Sequence, residues 1–351
     1  MSETFKSPRI TVLMPVHNGE AYLEEAMRSM MTQTFEDFEI LVVDDASSDN
    51  TPNMLQQFQK EDSRIRVLRS EDNLRITRAL NYGLDHARGE YIARMDADDI
   101  SDPERLAVQI AFMDANPDVY LCGTSVTTID EHGEKIRAST RTRDDVQCAW
   151  LQPFQCALIH PTFFFRRIAH DGTELRYNPE FPMSQDHDFV NRALKLGKVV
   201  SLPDNLVKYR SHPAATSRAK LHAQREVSLK ICKSFQRDVF PDDVYEELEP
   251  YRQAQFLFQP VPAVDIMSGL MAMAEYTSKQ HPEYRRWIWR QTSYLALLAL
   301  RAAGNDKKNL LKAYAREGRA FVWPLFMRRL EIAKIVPTHS NLDHKNRGKA
   351  S

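Results

Sequence analysis

Residues 10–51 read ITVLMPVHNGEAYLEEAMRSMMTQTFEDFEILVVDDASSDNT, and this stretch decides the fold. Residues 10–14 are a continuous apolar run rich in β-formers, closed by Pro15 and the His17-Asn18-Gly19 turn, as a strand buried on both faces would be. Residues 20–33 then put Leu23, Met27, Met30 and Met31 on one side of a helix. Residues 40–43 are a second buried strand, running into Asp44-Asp45-Ala46-Ser47-Ser48-Asp49. Two such strands joined by a helix make a parallel unit that must be covered by helices.

The alternation continues outward. Residues 51–60 read as a helix with Pro52 tolerated in its first turn, 65–68 as a strand, 78–87 as a helix and 90–95 as a strand. The expected fold is therefore α/β with a mainly parallel sheet. After about residue 120 the pattern loosens: a strand over 119–129, an apolar stretch over 160–166, a helix over 186–196 and short strands over 199–202 and 206–209. From Ser217 the chain reads as helical, with breaks at Pro241, Pro250, Pro260-Pro262, Pro282 and Gly304, and the polar tail after Pro337 is expected to be disordered. This divides the chain into an α/β domain over 1–216, a helical region over 217–336 and a tail over 337–351.

Of the 351 residues, 42% are hydrophobic and 27% charged, which excludes a mostly disordered, collagen-like or polytopic membrane protein. Four cysteines, Cys122, Cys148, Cys156 and Cys232, form no CxxC pair and read as idle thiols in a reducing compartment. The net charge of -1 conceals an asymmetry: residues 1–212 hold 24 Lys+Arg against 34 Asp+Glu, and residues 213–351 the remaining 23 against 14. An acidic front and a basic back suggest different partners. The N-terminus has no apolar core of signal-peptide length, and no apolar run spans a bilayer; 294–300 is the best candidate and is broken by Arg301. A cytoplasmic chain, or one held peripherally to the inner face of the cell membrane, is expected.

In a parallel α/β sheet ligands bind beyond the carboxyl ends of the strands. The residues found there are Pro15, Val16, His17 and Asn18, then Asp44 and Asp45, then Asp96, Ala97, Asp98 and Asp99. So many carboxylates on one edge would repel and raise one another's pKa, and a divalent cation, Mg2+ or Mn2+ for oxygen donors, would relieve that. The alternative is that the acids cap helices, as Asp45, Ser47 and Ser101 are suited to do; two clusters at strand ends favour the cation.

These segments, with N-x7-N-x-G-x5-GEYIARMDADD-x3-PERL from Asn73 onward, resemble family 2 glycosyltransferases of the GT-A fold, densely over 10–116 and loosely to about 218. The resemblance implies an inverting, metal-dependent transfer from a nucleotide-diphosphate sugar, UDP-linked in the expected case, to a saccharide or lipid-linked saccharide acceptor. It implies that Pro15, Val16 and Asn18 lie against the nucleotide, that Asp45 accepts from uracil N3 with Asp44 beside it, and that Asp96-Ala97-Asp98 is the DxD motif. Of that motif Asp98 is the metal ligand, while Asp96 contacts the ribose or the metal. Asp186, in SQDHDF, matches the acceptor-deprotonating base, with Gln185 where the pattern usually has Glu. In the YRSHP segment, Arg210 matches a diphosphate contact and His212 a metal ligand. Arg75 stands where relatives often carry Gly, and Arg75 or Arg78 is a candidate diphosphate contact, or the solvated start of a helix. His160-Pro161-Thr162 is read as a turn before a core strand.

Between residues 285 and 334 lie 12 Lys+Arg against 3 acids, interleaved with Trp287, Trp289, Phe321, Trp323 and Phe326. No nucleic-acid module is visible, and a helical surface on anionic lipid is the reading preferred, with a solvated cap or homodimer face as the alternative. Two other functions remain: a sugar-1-phosphate nucleotidyltransferase, which would need a Gly/Lys-rich phosphate loop that PVHNG is not, and a non-catalytic nucleotide-sugar or glycan-binding module. No GxGxxG follows a strand, which disfavours a dehydrogenase.

Overall fold

The computed structural model describes residues 7–139, 143–212 and 221–302. The chain divides into two compact units, Met1–Phe235 and Gln236–Ser351. The sequence boundary at 216/217, the break at Gly304, residues 303–334 of the basic stretch and the tail over 337–351 lie outside the described residues.

The first unit is built on a sheet containing β1 (Ile10–Val16), β2 (Phe38–Asp44), β3 (Ile65–Arg69), β4 (Tyr91–Arg94), β5 (Ile100–Ser101), β6 (Val119–Ile129), β7 (Lys135–Ala138), β8 (Phe164–Arg166) and β9 (Lys198–Arg210). Their order is β3-β2-β1-β4-β8-β6-β9-β5, with β7 on β6. The β3-β2-β1-β4 half is parallel; β8 is antiparallel to β4 and β6, whereas β6 and β9 run parallel. Strand order reverses at β1, since β2 and β3 lie on one side and β4 on the other. Such a reversal opens a crevice at the carboxyl edge.

Every residue of β1 and β2 is buried, which is why these strands read as unbroken apolar runs. Side chains alternate across the sheet, so Ile10, Val12, Met14 and Val16 share one face. They pack with Leu23, Ala26, Met27 and Met30 of α1 (Leu23–Met31), Leu55 and Phe58 of α2 (Thr51–Glu61), and Leu106, Ile110 and Met113 of α4 (Arg105–Ala115). The opposite face receives α3 (Arg75–His86). It comes so close that a Cβ on Gly83 would lie 2.2 Å from Leu13 Cδ1 and 3.0 Å from Val43 Cγ2. At Gly89, which opens β4's approach, a Cβ would meet Thr11 N at 2.3 Å and Ile10 C at 2.6 Å. The glycine of GEYI is thus a backbone-crossing requirement. Completing the unit's side are α5 (Asp145–Leu151) and α6 (Gln185–Ala193).

Three local differences from the sequence reading have physical causes. First, α1 starts at Leu23, because Gly19 and the residues after it form a turn. Second, β9 is one strand where two were expected: Thr124 pairs with Leu202 and Ser125 with Asn205, so Pro203 and Asp204 are carried in a bulge. A bulge leaves the missing proline N–H without consequence for the ladder. Third, only Phe164–Arg166 of the 160–166 stretch is strand, preceded by a 3-10 turn at His160–Thr162.

The second unit begins within α7 (Leu221–Val239) and contains α8 (Asp242–Glu247), α9 (Glu249–Leu257), α10 (Ala263–Gln280) and α11 (Arg285–Ala302). The prolines open its helices: Pro241 and Pro262 occupy N-caps and Pro250 a first turn. Buried Arg252 ties the unit together through Glu249 (2.7 Å), Gln236 Oε1 (2.8 Å) and the Tyr245 carbonyl (2.9 Å). Among the described residues no helix is long and apolar enough to cross a membrane.

Candidate active site

The carboxyl edge of the first unit is where the backbone is most strained. Asn18 (φ 52°), Ala46 (56°), Arg75 (62°) and Ser184 (54°) adopt left-handed conformations that non-glycine residues rarely take; Asn18 and Ala46 lie in the turns after β1 and β2, Arg75 opens α3 and Ser184 precedes α6. Beyond β1, Asn18 is fixed from both sides: its N–H donates to Ser47 Oγ (2.9 Å) and its Oδ1 accepts from Ser48 N (2.8 Å). The loops after β1 and β2 are thereby one piece. His17 joins them through a 2.7 Å contact from Nδ1 to the Asp45 carbonyl, and Asn73 Nδ2 approaches its Nε2 at 3.2 Å.

Asp44 and Asp45 are both buried and have separate tasks. Asp44 accepts from Ser47 N (3.0 Å) and from Arg69 Nη1 (3.0 Å), so it locks the β2 turn to β3. Asp45 accepts from Leu74 N at 2.6 Å and from Arg75 N at 2.9 Å, one bond on each oxygen. It therefore caps α3. The left-handed φ of Arg75 gives the reason a glycine suits this position.

After β4 the chain turns through Asp96, Asp98 and Asp99, whose ligand oxygens all lie within 4.8 Å of one another. Asp96 is gripped through both oxygens by the fork of Arg94, a buried arginine at the end of β4. Asp98 faces His212, Nε2 to Oδ2 at 3.0 Å. Asp99 is buried: Oδ1 accepts from Arg210 N at 2.7 Å, and Oδ2 has no partner among the described residues. Burial, then the charges of Asp96 and Asp98, push Asp99 well above the ordinary carboxylate range. Burial also raises Asp96, against the opposing pull of Arg94. An orphaned carboxylate oxygen among crowded acids, with one imidazole beside them, is a donor set that fits a hard divalent cation.

Arg210 corrects an expectation. Its guanidinium is buried and committed to protein acceptors: Nε to the Asp98 carbonyl (2.8 Å), Nη1 to the carbonyls of Asp130 (3.3 Å) and Glu131 (3.2 Å), and Nη2 to Glu25. It also lies 4.6 Å from the ring centroid of Tyr22, which in turn packs on His212 at 5.1 Å. Arg210 is a brace for the acid loop and does not face the crevice as a diphosphate contact would. Arg78 is exposed on α3, and His160 is buried against Tyr177 Oη (2.9 Å), with burial pushing it well below the usual imidazole range.

Asp186 sits in the first turn of α6, half-buried, with no hydrogen-bond partner among the described residues. Its charge contributes to raising Asp96, which puts the two in one electrostatic neighbourhood. The rest of α6's start faces inward: His187 Nε2 contacts the Gln152 carbonyl (2.7 Å), and Gln152 Nε2 donates to His187 O and Asn191 Oδ1 (both 2.8 Å). The segment leading to α6 is pinned to α3. Asn81 bonds the Tyr177 backbone in both directions (2.8 Å each), and Thr77 Oγ1 donates to Phe181 O (3.0 Å). Sequence reasoning named the acids and His212; it gave no role to Arg94, Tyr22, Arg69, Asn81 or Tyr177, of which Arg94, an arginine inside an apolar strand, and Asn81, the second asparagine of the N-x7-N-x-G motif, left a visible signal.

A family model described as Glycosyl transferase family 2 matches residues 11–179. An uncharacterized glycosyltransferase of Haemophilus influenzae is 31% identical over 235 residues, spanning 64% of this chain and 72% of its own. The O-antigen biosynthesis glycosyltransferase WbnJ of Escherichia coli is 28% identical over 219 residues, 60% of this chain and 83% of WbnJ. Among solved structures, S. aureus TarS 1-349 in complex with UDP-GlcNAc has a similar fold, with a TM-score of 0.58 at 17% identity, covering 88% of this chain and 92% of that one.

Proposed function

This chain belongs to glycosyl transferase family 2, and from that premise we propose an inverting, metal-dependent transfer of a sugar from a uridine diphosphate donor to a saccharide or lipid-linked saccharide in surface-polysaccharide synthesis. What supports this reading is the gathering of Asp96, Asp98 and His212 beyond β4, with Asp45 beyond β2 on the same carboxyl edge and the charge of Asp186 acting on Asp96. The acceptor class is supported by the O-antigen relative, and the uridine donor is in keeping with the UDP-GlcNAc complex of the TarS fold neighbour.

Each residue then has a task. Pro15, Val16 and Asn18 form the floor under the nucleotide. Asp45 keeps a further lone pair on each oxygen for the N3–H of a uracil ring. Asp44 acts from behind, holding the β2 turn. Asp96, fixed by Arg94, accepts from the ribose, and Asp98 with His212 would hold the Mn2+ or Mg2+. When bound, that cation supplies positive charge against the departing diphosphate. Asp186 takes the proton from the acceptor hydroxyl as that oxygen bonds to the anomeric carbon and the sugar–phosphate bond breaks on the opposite face. The result is inversion, with UDP released. Contact with anionic membrane belongs to the same reading: α11 keeps Arg285, Arg286 and Arg290 exposed beside half-buried Trp287 and Trp289.

UDP release from a panel of UDP-sugars with Mn2+, comparing the native protein with Asp98→Ala and Asp186→Asn, tests the proposal. Both variants are expected to lose release; equal rates in all three would overturn the site.

A further inference from the structure

Three carboxylates crowd the β4 loop, yet they are not equivalent, and the difference lies in Arg94. Arg94 ends a strand that is buried throughout, and its side chain is 4% exposed. The backbone on either side of that side chain is held in place: Arg94 N donates to Phe163 O (2.8 Å), and Arg94 O accepts from Nη2 of buried Arg105 (2.7 Å). From this fixed base the guanidinium presents two N–H groups in a fork, Nη1 to Asp96 Oδ2 and Nη2 to Asp96 Oδ1. Asp98, 38% exposed, has no such clamp and turns to His212.

Resting on the metal reading above, we propose that Arg94 is a positioning residue that assigns roles within the acid cluster. By occupying both oxygens of Asp96 it withholds that carboxylate from the cation and leaves Asp98 and His212 to ligate it. A planar fork fixes the plane of the carboxylate it binds, so the free lone pairs of Asp96 point to the sides, where a hydroxyl donor is accepted. A cation drawn to those same oxygens would share them with a positive charge that cannot move away, because Arg94 is enclosed. The arginine also offsets part of the repulsion among Asp96, Asp98 and Asp99, which keeps the loop formed before any cation arrives. A lysine would carry the charge but not the fork.

The test is Mn2+ binding in the presence of UDP, read from the electron paramagnetic resonance signal of free Mn2+, with folding checked by thermal melting. Asp98→Asn is expected to weaken binding about 30-fold or more, and Asp96→Asn less than about threefold. Arg94→Lys frees Asp96 to join the cation and is expected to tighten binding about two- to tenfold, a gain that Arg94→Lys/Asp96→Asn gives back. If Arg94→Lys does not fold, Arg94→Gln, which keeps one neutral hydrogen bond, replaces it with the same expectation. Equal weakening by Asp96→Asn and Asp98→Asn overturns the proposal, as does unchanged affinity on replacing Arg94. A native protein that binds no Mn2+ overturns the metal reading itself, and this proposal with it.

Discussion

His212 Nε2 lies 3.0 Å from Asp98 Oδ2, joining the end of β9 to the loop after β4 across 114 residues of chain. The ring packs on Tyr22, with centroids 5.1 Å apart. His212→Gln is expected to raise the Mn2+ concentration for half-maximal UDP release about 10- to 100-fold, and chelation to abolish release until Mn2+ is returned. An unchanged Mn2+ dependence in His212→Gln would remove it from the metal shell.

Asp186 has no hydrogen-bond partner among the described residues, and its helix is locked by Gln152 and His187 on the far side. Asp186→Asn is therefore expected to leave the fold and the donor KM within about threefold while kcat falls about 100- to 10,000-fold. Steady-state kinetics with saturating acceptor read this directly. A rise in donor KM with kcat preserved would make Asp186 a binding residue instead.

Stability against pH follows from the buried acids. Burial and neighbouring carboxylates raise Asp99 well above its ordinary range and Asp96 upward too, so the folded protein holds these protons more tightly than the unfolded chain. Ionised, both groups destabilise; stability accordingly rises as pH falls through their folded-state pKa. His160 and His187 act oppositely below about pH 6.5, since burial lowers both. Melting in EDTA is expected to show the native protein gaining Tm relative to Asp99→Asn as pH falls toward the ordinary carboxylate range, a difference that Mn2+ diminishes. A native protein that loses Tm relative to Asp99→Asn as pH falls contradicts this account.

Two substitutions, Gly89 at the amino ends of the strands and Arg75 at their carboxyl ends, test the backbone argument. Gly89→Ala drives a Cβ to 2.3 Å from Thr11 N, against backbone that cannot step aside, and is expected to cost about 3 kcal/mol. Arg75→Gly relieves a left-handed φ of 62° and is expected to stabilise by about 1 kcal/mol while keeping the N–H on Asp45. Urea unfolding midpoints decide both signs.

The parallel half of the sheet was legible because β1 and β2 are buried on both faces and announce themselves as unbroken apolar runs. So were the acids beyond them, since strand ends are where ligands gather. The β9 bulge hid one strand behind Pro203. Arg210 misled for a plain reason: an arginine among acids reads as an anion contact, but its acceptors are carbonyls of Asp98, Asp130 and Glu131 and the carboxylate of Glu25, brought together only by the sheet. Arg94 left a trace, a charge in an apolar strand, whose meaning needs the fold. Asn81 stood in the N-x7-N-x-G motif without a role, because its partner is the backbone of Tyr177, 96 residues away, which its side-chain amide bonds in both directions.

That pairing, with the contacts at its first turn, anchors α3 at two places. At one tip its first amide groups rest on Asp45; along its shaft, Thr77 and Asn81 grip the segment that leads into Asp186. A single helix of 12 residues therefore fixes the spacing between the turn beyond β2 and the stretch that carries Asp186.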